Sequence, residues 1–257
     1  MLDLLIITGA SRGIGANIAK QCNTDVAETL ITISSSGKTD HISRDNNLIS
    51  LVLNLTDHKK IYESVKGTID QLLLLKKISN IGIVLCGAQI GNPGGLLTSD
   101  LDDWDTLYNC NVLGNLAVVK ACSKLLESTE SKIVFFAGGG AAFSYPEFSG
   151  YALSKVATVR AAENLGAELS AAGFNSSVIA ISPGAVATEM LDKVIAVGGE
   201  VRTKTDISEP TNFVYRFLNN EFPSKKLNGK FLHVRDAVQE INFDTVNTDI
   251  FKLRRLQ

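Results

Sequence analysis

Leu4-Leu5-Ile6-Ile7 runs directly into Thr8-Gly9-Ala10-Ser11-Arg12-Gly13-Ile14-Gly15, and this junction constrains the fold more than any other segment. A continuous run of large apolar residues reads as a strand buried on both faces, as in a parallel sheet covered by helices. Gly9, Gly13 and Gly15 then form a turn with the spacing GxxxGxG, and Ile14–Cys22 continues as a helix. A helix that starts at such a turn presents free backbone N–H groups and the positive end of its dipole. Glycine also lets a pyrophosphate approach the main chain. The strand, turn and helix together predict a dinucleotide site.

The alternation continues to the other end of the chain. Thr29–Ile33, Leu48–Leu53, Ile81–Leu85, Lys132–Phe136, Ser177–Ile181 and Phe231–Val234 read as further strands. Apolar residues at helical spacing predict helices over Asp57–Leu75, Asp102–Leu126 as one long element, and Tyr151–Ala171. Strands and helices that alternate along the chain predict a single α/β domain over residues 1–257. Met190–Ile207, with Gly198-Gly199 and mixed charge, reads either as a flap over a substrate or as an ordinary surface loop.

Tyr151-Ala152-Leu153-Ser154-Lys155 places a phenol and an ammonium at i and i+4, on one helix face. An ammonium beside a phenol favours the phenolate and lowers a pKa that starts near ~10. A phenol tuned in this way exchanges a proton near neutral pH. With a dinucleotide turn in the same chain, the pair points to hydride transfer on a carbonyl or an alcohol.

These motifs resemble those of the short-chain dehydrogenase/reductase family, and the resemblance runs from about Leu4 to Val234. It implies a Rossmann-type doubly wound parallel sheet of about seven strands with helices on both faces. Residues Thr8–Gly15 match the family's glycine motif, which implies dinucleotide contacts from Gly9, Ser11, Arg12, Gly13, Ile14 and Gly15. Asn111, in Asn109-Cys110-Asn111-Val112, matches an asparagine that holds a water in a proton relay. Tyr151 matches the general acid, and Lys155 the residue that lowers its pKa and binds the nicotinamide ribose. Pro183, Gly184, Val186 and Thr188 match the segment that grips the nicotinamide end, and Asn54, Leu55 and Ala88 complete the implied cofactor set.

Three positions depart from the family pattern. The serine about thirteen residues before the tyrosine is replaced by Gly138, in Ala137-Gly138-Gly139-Gly140. Ser144, Ser149 or backbone N–H groups of the glycine run are the candidate substitutes. The motif after the fourth strand reads Cys86-Gly87-Ala88-Gln89, without the family's asparagine and last glycine. Asn54 stands where an aspartate often accepts from the adenine amine, and its amide oxygen retains that capacity.

The end of the second strand decides the cofactor expectation. NAD usually meets a carboxylate there, which takes the ribose hydroxyls. Here the place reads Ser34-Ser35-Ser36-Gly37-Lys38, with no acid to repel a 2′-phosphate. Arg12 and Lys38 supply charge, and Ser34 and Ser35 supply donors. NADP is therefore expected, and NAD less so.

A net charge of −2 and a pI near 6.0, without basic blocks, argue against nucleic acid as a partner. No apolar run approaches the ~20 residues of a membrane helix, and Met1-Leu2-Asp3-Leu4 enters a strand without a basic leader. Cys22, Cys86, Cys110 and Cys122 show no CxxC spacing and read as free thiols in a reducing cytoplasm. His41, His58 and His233 are scattered, so no metal is expected. Lys252-Leu253-Arg254-Arg255 reads as a solvated or subunit-contact tail. Apolar and small residues on more than one face of Asp102–Leu126 and Tyr151–Ala171 predict a homodimer or homotetramer. The substrate expected is a small-molecule carbonyl or alcohol. The competing reading is a dinucleotide-binding sensor or scaffold with little catalysis, suggested by the absent serine.

Overall fold

Strand β1 (Leu2–Thr8) is followed by α1 (Gly13–Asp25), β2 (Ala27–Ser34), β3 (Asn47–Val52), α2 (His58–Leu75) and β4 (Asn80–Leu85). Next come α3 (Leu101–Tyr108), a π-helical turn (Asn109–Gly114), α4 (Asn115–Ala121), α5 (Ser123–Leu126), β5 (Glu130–Phe136) and α6 (Ser149–Ala171). The chain ends with β6 (Ser176–Ser182), β7 (Ala185–Val186), α7 (Glu189–Ala196), β8 (Lys204–Thr205), α8 (Ser208–Leu218) and β9 (Lys230–His233). This computed structural model describes all residues except 43–46, 199–200, 202–203, 243–244, 246–248 and 254–257, and only the backbone of Thr24 and Asn47.

Seven strands form one sheet in the order β3-β2-β1-β4-β5-β6-β9, and every pairing is parallel. Successive residues of β1 point to opposite sides of the sheet, the period-2 rule of a strand. Leu4 and Ile6 join α2, α4 and α6 through Ile61, Val65, Val118 and Val159. Leu5 and Ile7 join α1 and α8 through Ile18, Cys22, Phe213 and Phe217. Both faces are covered, which is why the strands read as unbroken apolar runs. The sheet is Rossmann-like and doubly wound, as expected. Its order reverses between β1 and β4, and the C-terminal ends of strands at such a switch point border the ligand crevice of these folds.

Four expectations need correction. The long helix over Asp102–Leu126 is divided: a π turn at Asn109–Gly114 separates α3 from α4, and the rod breaks again at Cys122 before α5. A π turn leaves backbone carbonyls off the usual i−4 ladder. The Asn115 side-chain amide donates to the Asn111 carbonyl at 3.0 Å. Residues Met190–Ile207 are not a plain loop. Their described part carries most of α7 and the short β8, which pairs with β7. Gly199, Glu200, Arg202 and Thr203 lie outside the described residues. Helix α8 has no counterpart in the sequence reading, although it buries Phe213, Val214 and Phe217. The last strand begins one residue earlier, at Lys230.

The segment after β9 returns to α6. Phe231 N–H donates to the Phe251 carbonyl at 2.7 Å, and Leu253 N–H donates to Glu163 Oε1 at 2.7 Å. Arg254 and Arg255 of the basic tail lie outside the described residues.

Candidate active site

Tyr151 and Lys155 stand one turn apart on α6 and are both buried, at 9% and 3% exposure. Lys155 Nζ donates to the Phe136 carbonyl at the end of β5 (2.8 Å) and lies 5.4 Å from the centroid of the Tyr151 ring. Ser154, between them, donates its hydroxyl to the Tyr151 carbonyl at 2.7 Å and accepts from Asn111 Nδ2 at 2.9 Å. Asn111 therefore reaches the Tyr-Lys helix directly. Its amide also clamps the backbone of Gln89: Oδ1 accepts from Gln89 N–H at 2.8 Å, and Nδ2 donates to the Gln89 carbonyl at 2.9 Å.

Sequence reasoning assigned no scaffold role to three residues found here. Thr8 Oγ1 donates to Asn115 Oδ1 at 2.8 Å and accepts from Gly87 N–H at 3.0 Å. Asn115 Nδ2 donates to the Gly87 carbonyl at 2.9 Å. The end of β1, the exit of β4 and the π turn are thus pinned by buried hydrogen bonds with both partners satisfied. His41 is the third; its Nε2 meets the Ala10 carbonyl in the glycine turn at 2.9 Å. Asn115 lies four residues after Asn111, on the same face, and that spacing was the available signal. His41 follows an irregular loop, where no periodicity marks it.

The electrostatics reverse one expectation. The ammonium was expected to lower the phenol's pKa, but burial dominates and pushes Tyr151 above its ordinary value, with Tyr145 and Cys86 acting in the same direction. Burial pushes Lys155 down to about 8, opposed by Cys86 and Cys110. A desolvated pair favours its neutral forms, so the phenol keeps its proton at neutral pH. Burial also pushes Cys86 up to about 12 and Cys110 up to about 11. Both remain thiols and neither is poised as a nucleophile. All four cysteines are free. Among the described residues, no cluster of His, Cys, Asp and Glu could hold a metal ion, and no helix is long and apolar enough to cross a membrane.

Gly138 occupies the place the sequence indicated. A Cβ built on it would stand 3.2 Å from the Tyr151 hydroxyl. Its backbone is extended, so glycine is not required there by conformation. Ser149 donates to the Pro146 carbonyl at 3.3 Å, and Ser144 is exposed.

The dinucleotide cradle is built by close backbone approach. Gly9 adopts a φ of +69°, and a Cβ on Gly15 would lie 2.3 Å from the Gly9 carbonyl oxygen. Helix α1 has no acidic residue in its first turn, and Arg12 at its N-cap makes no side-chain capping bond. Its N-terminal N–H groups can receive a phosphate. The Gly13 Cα faces Thr188, whose Cγ2 would be 3.5 Å from an added Cβ, so the glycine turn and the Pro183–Thr188 segment stand opposite one another. Ser11 and Ile14 belong to the turn and Gly184 and Val186 to that segment, and Leu55 Cδ1 and Gly9 N both approach Gly87, at 2.3 and 3.2 Å from a Cβ built there. Asn54 Oδ1 accepts from Thr56 N–H at 3.1 Å. Ser34 Oγ accepts from Gly37 N–H at 3.1 Å, while Ser35 and Lys38 are exposed. Arg12 is paired with Glu189 at the start of α7, at 2.5 Å. The donor set fits a dinucleotide.

Comparison with known proteins agrees with this architecture. A family model described as short chain dehydrogenase matches residues 3–197. The chain is 25% identical over 201 residues to a 3-oxoacyl-(acyl-carrier-protein) reductase of Synechocystis sp., covering 76% of this chain and 78% of that protein. It is 25% identical over 243 residues to the protein of the same name from Rickettsia typhi, covering 91% and 95%. Among solved structures, a 3-oxoacyl-(acyl-carrier-protein) reductase from Brucella melitensis in complex with NAD superposes with a TM-score of 0.76 at 20% identity, over 91% of this chain and 96% of that one. An NADPH-bound carbonyl reductase from chicken fatty liver gives 0.74 at 19%, over 91% and 96%.

Proposed function

The chain belongs to the short chain dehydrogenase family of oxidoreductases, and on that premise we propose that it is an NADP(H)-dependent enzyme that reduces a ketone or oxidises the corresponding secondary alcohol. The observation that carries this reading is the pair Tyr151 and Lys155, buried together with the phenol facing Gly138. A bound nicotinamide dinucleotide supplies the hydride. Gly9, Ser11, Gly13, Ile14 and Gly15 would hold its phosphates, Asn54, Leu55 and Ala88 its adenosine side, and Pro183, Gly184, Val186 and Thr188 its nicotinamide end. In reduction, Tyr151 gives its proton to the carbonyl oxygen and becomes a phenolate. Lys155 stabilises that phenolate by its charge, and Asn111 acts on the pair through Ser154. One domain over residues 1–257 would carry the whole activity, in the cytoplasm, without nucleic acid, membrane or metal. Reduction of carbonyls by NADPH, assayed over a panel of simple ketones, tests the reading. Dinucleotide binding without turnover on any of them favours a sensor or scaffold.

The pH dependence follows from Lys155. Below about 8 it is charged, and it loses that charge as pH rises through this value. Reduction needs the charge to stabilise the phenolate, so its turnover should be flat on the acid side and fall above about 8. Oxidation needs the phenol to lose a proton and should rise with pH. Replacing Lys155 with Arg should move the break beyond the measurable range, because guanidinium stays charged. Reduction that stays flat to pH 9.5 or so would contradict this assignment.

The preference for NADP(H) rests on Ser34-Ser35-Ser36 in place of an acid, with Arg12 and Lys38 nearby in sequence. Relatives of this fold are solved with either dinucleotide. The Arg12–Glu189 pair is exposed on both sides, so water screens it and little opposes turning Arg12 toward a phosphate. NADPH should bind at least about tenfold more tightly than NADH at equal salt, as one charge-assisted bond is worth ~1.5–3 kcal/mol. Equal affinities in a fluorescence titration would overturn the preference.

A homodimer or homotetramer accompanies this reading. Leu101, Tyr108 and Leu113 on the α3–π segment and Leu153 and Val156 on α6 are exposed apolar residues. Such faces are usually covered by a second copy. Light scattering at micromolar concentration should give a multiple of 27.6 kDa. A monomer at that concentration would refute it.

A further inference from the structure

The Tyr151 hydroxyl stands beside Gly138, and a second phenol, Tyr145, stands beside Gly140. Tyr145 lies edge-on to Tyr151, with ring centroids 6.5 Å apart and planes at 65°. The Tyr145 ring also packs against Phe148, at 5.6 Å, and Phe148 is fully buried. The backbone around them is tied down. Gly94 N–H donates to the Glu147 carbonyl at 2.7 Å, and Ser149 N–H donates to the Gly94 carbonyl at 3.2 Å. The loop that carries Tyr145 therefore holds its ring by packing and by main-chain bonds. Among the described residues, no hydrogen bond engages the hydroxyl of either tyrosine.

The glycine run makes room for this arrangement. A Cβ on Gly140 would stand 3.4 Å from Tyr145 Cδ1 and 3.2 Å from the Ala152 backbone, so a larger residue would crowd the ring. A Cβ on Gly138 would stand 3.2 Å from the Tyr151 hydroxyl. The position where the family places a hydroxyl is bare, and a second phenol ring packs edge-on against Tyr151. We propose that the Tyr145 hydroxyl is the second hydrogen-bond donor to the substrate's carbonyl oxygen, in the place left by the serine that Gly138 replaces.

This assignment rests on the reductase reading above. In the step it serves, hydride adds to the carbonyl carbon, the C=O π pair moves to oxygen, and that oxygen takes the Tyr151 proton. Tyr145 donates a hydrogen bond throughout and keeps its own proton. Burial, and then Glu147, push its pKa up, which keeps it a donor at neutral pH. A donor aimed at developing oxyanion charge is worth roughly 10²–10³ in rate when removed. Tyrosine also places its hydroxyl farther from its Cα than serine does, so a donor on this loop can serve without a side chain at 138.

The test is a rescue. With NADPH and a cyclic ketone that carries no hydroxyl of its own, Tyr145→Phe should lower kcat by about 10²-fold, with NADPH affinity unchanged. Adding Gly138→Ser to that variant should restore at least tenfold, because the hydroxyl returns at the family position. Affinity of the enzyme–NADP complex for the ketone, a readout independent of turnover, should fall and recover in the same two steps. Parental kcat in Tyr145→Phe would overturn the proposal. So would a loss that Gly138→Ser does not rescue, which would mark Tyr145 as a packing residue. Tyr151→Phe, run in parallel, separates the two levels: full activity there sinks the reductase reading itself. A parent protein that neither binds nor reduces any ketone sinks both.

Discussion

Tyr151→Phe is expected to lower ketone reduction by roughly 10²–10⁴-fold, the range that a positioned general acid supplies. The substitution removes one oxygen and leaves the ring. That ring packs with Ile90, Phe148 and Val194, and among the described residues the hydroxyl has no hydrogen-bond partner, so its removal costs the fold little. Burial keeps the phenol protonated, and this is the form that reduction consumes. NADPH affinity should stay within about threefold of the parent, since the turn at Gly9–Gly15 is untouched; that difference is about 0.65 kcal/mol. Steady-state kinetics and a cofactor titration on the same preparation check both halves. Retained turnover would place the acid elsewhere.

The second large effect is expected at Gly15. A Cβ there meets the Gly9 carbonyl oxygen at 2.3 Å and the Gly9 carbonyl carbon at 2.9 Å, both backbone atoms that cannot swing away. Gly15→Ala must therefore open the turn at the start of α1, where the phosphates would sit. Dinucleotide affinity should fall by at least about 100-fold, the equivalent of ~2.7 kcal/mol. Gly13→Ala is the informative contrast. Its φ of +57° strains an alanine by ~1–2 kcal/mol, but its Cβ would meet only Thr188 Cγ2, at 3.5 Å. It should weaken binding less. Titration with NADPH, with circular dichroism to confirm that both variants fold, orders the two. If Gly13→Ala proved the more damaging, the steric account of the cradle would be wrong.

Local chemistry was legible in the chain. Leu4–Ile7 ahead of Gly9, Gly13 and Gly15 specifies a strand, a tight turn and a helix start, because each depends on short-range sterics and side-chain period. The i, i+4 spacing of Tyr151 and Lys155 puts both on one face of α6 without help from the rest of the molecule. Gly138 could be placed by counting back from Tyr151. Other features depended on distant segments. The π turn that breaks Asp102–Leu126 ends at Gly114, which lies against the Leu55 carbonyl, where an added Cβ would stand 2.2 Å away. Helical periodicity contains no record of that contact. The Thr8–Asn115–Gly87 bonds join residues far apart in sequence, and partners of that kind emerge only when the sheet assembles.

The direction of the Tyr151 shift was misread for a related reason. Sequence shows which charge is near in the chain, whereas burial is a property of the whole packed core. At this site desolvation is the largest influence, and it raises the phenol's pKa. Tyr145 is six residues from Tyr151 and lies outside the helix that carries it. Only the folding of the 145–148 loop against Gly94 brings its ring to the second phenol. The sequence by itself determined the strand–turn–helix start and the Tyr–Lys face, since these follow from period, turn chemistry and spacing, and its motifs carried the resemblance that implied the family and the doubly wound sheet. Tertiary structure alone decided the protonation of the pair, the clamps on Asn111 and Gln89, and which second ring packs against Tyr151, because each depends on what long-range packing desolvates and brings within reach.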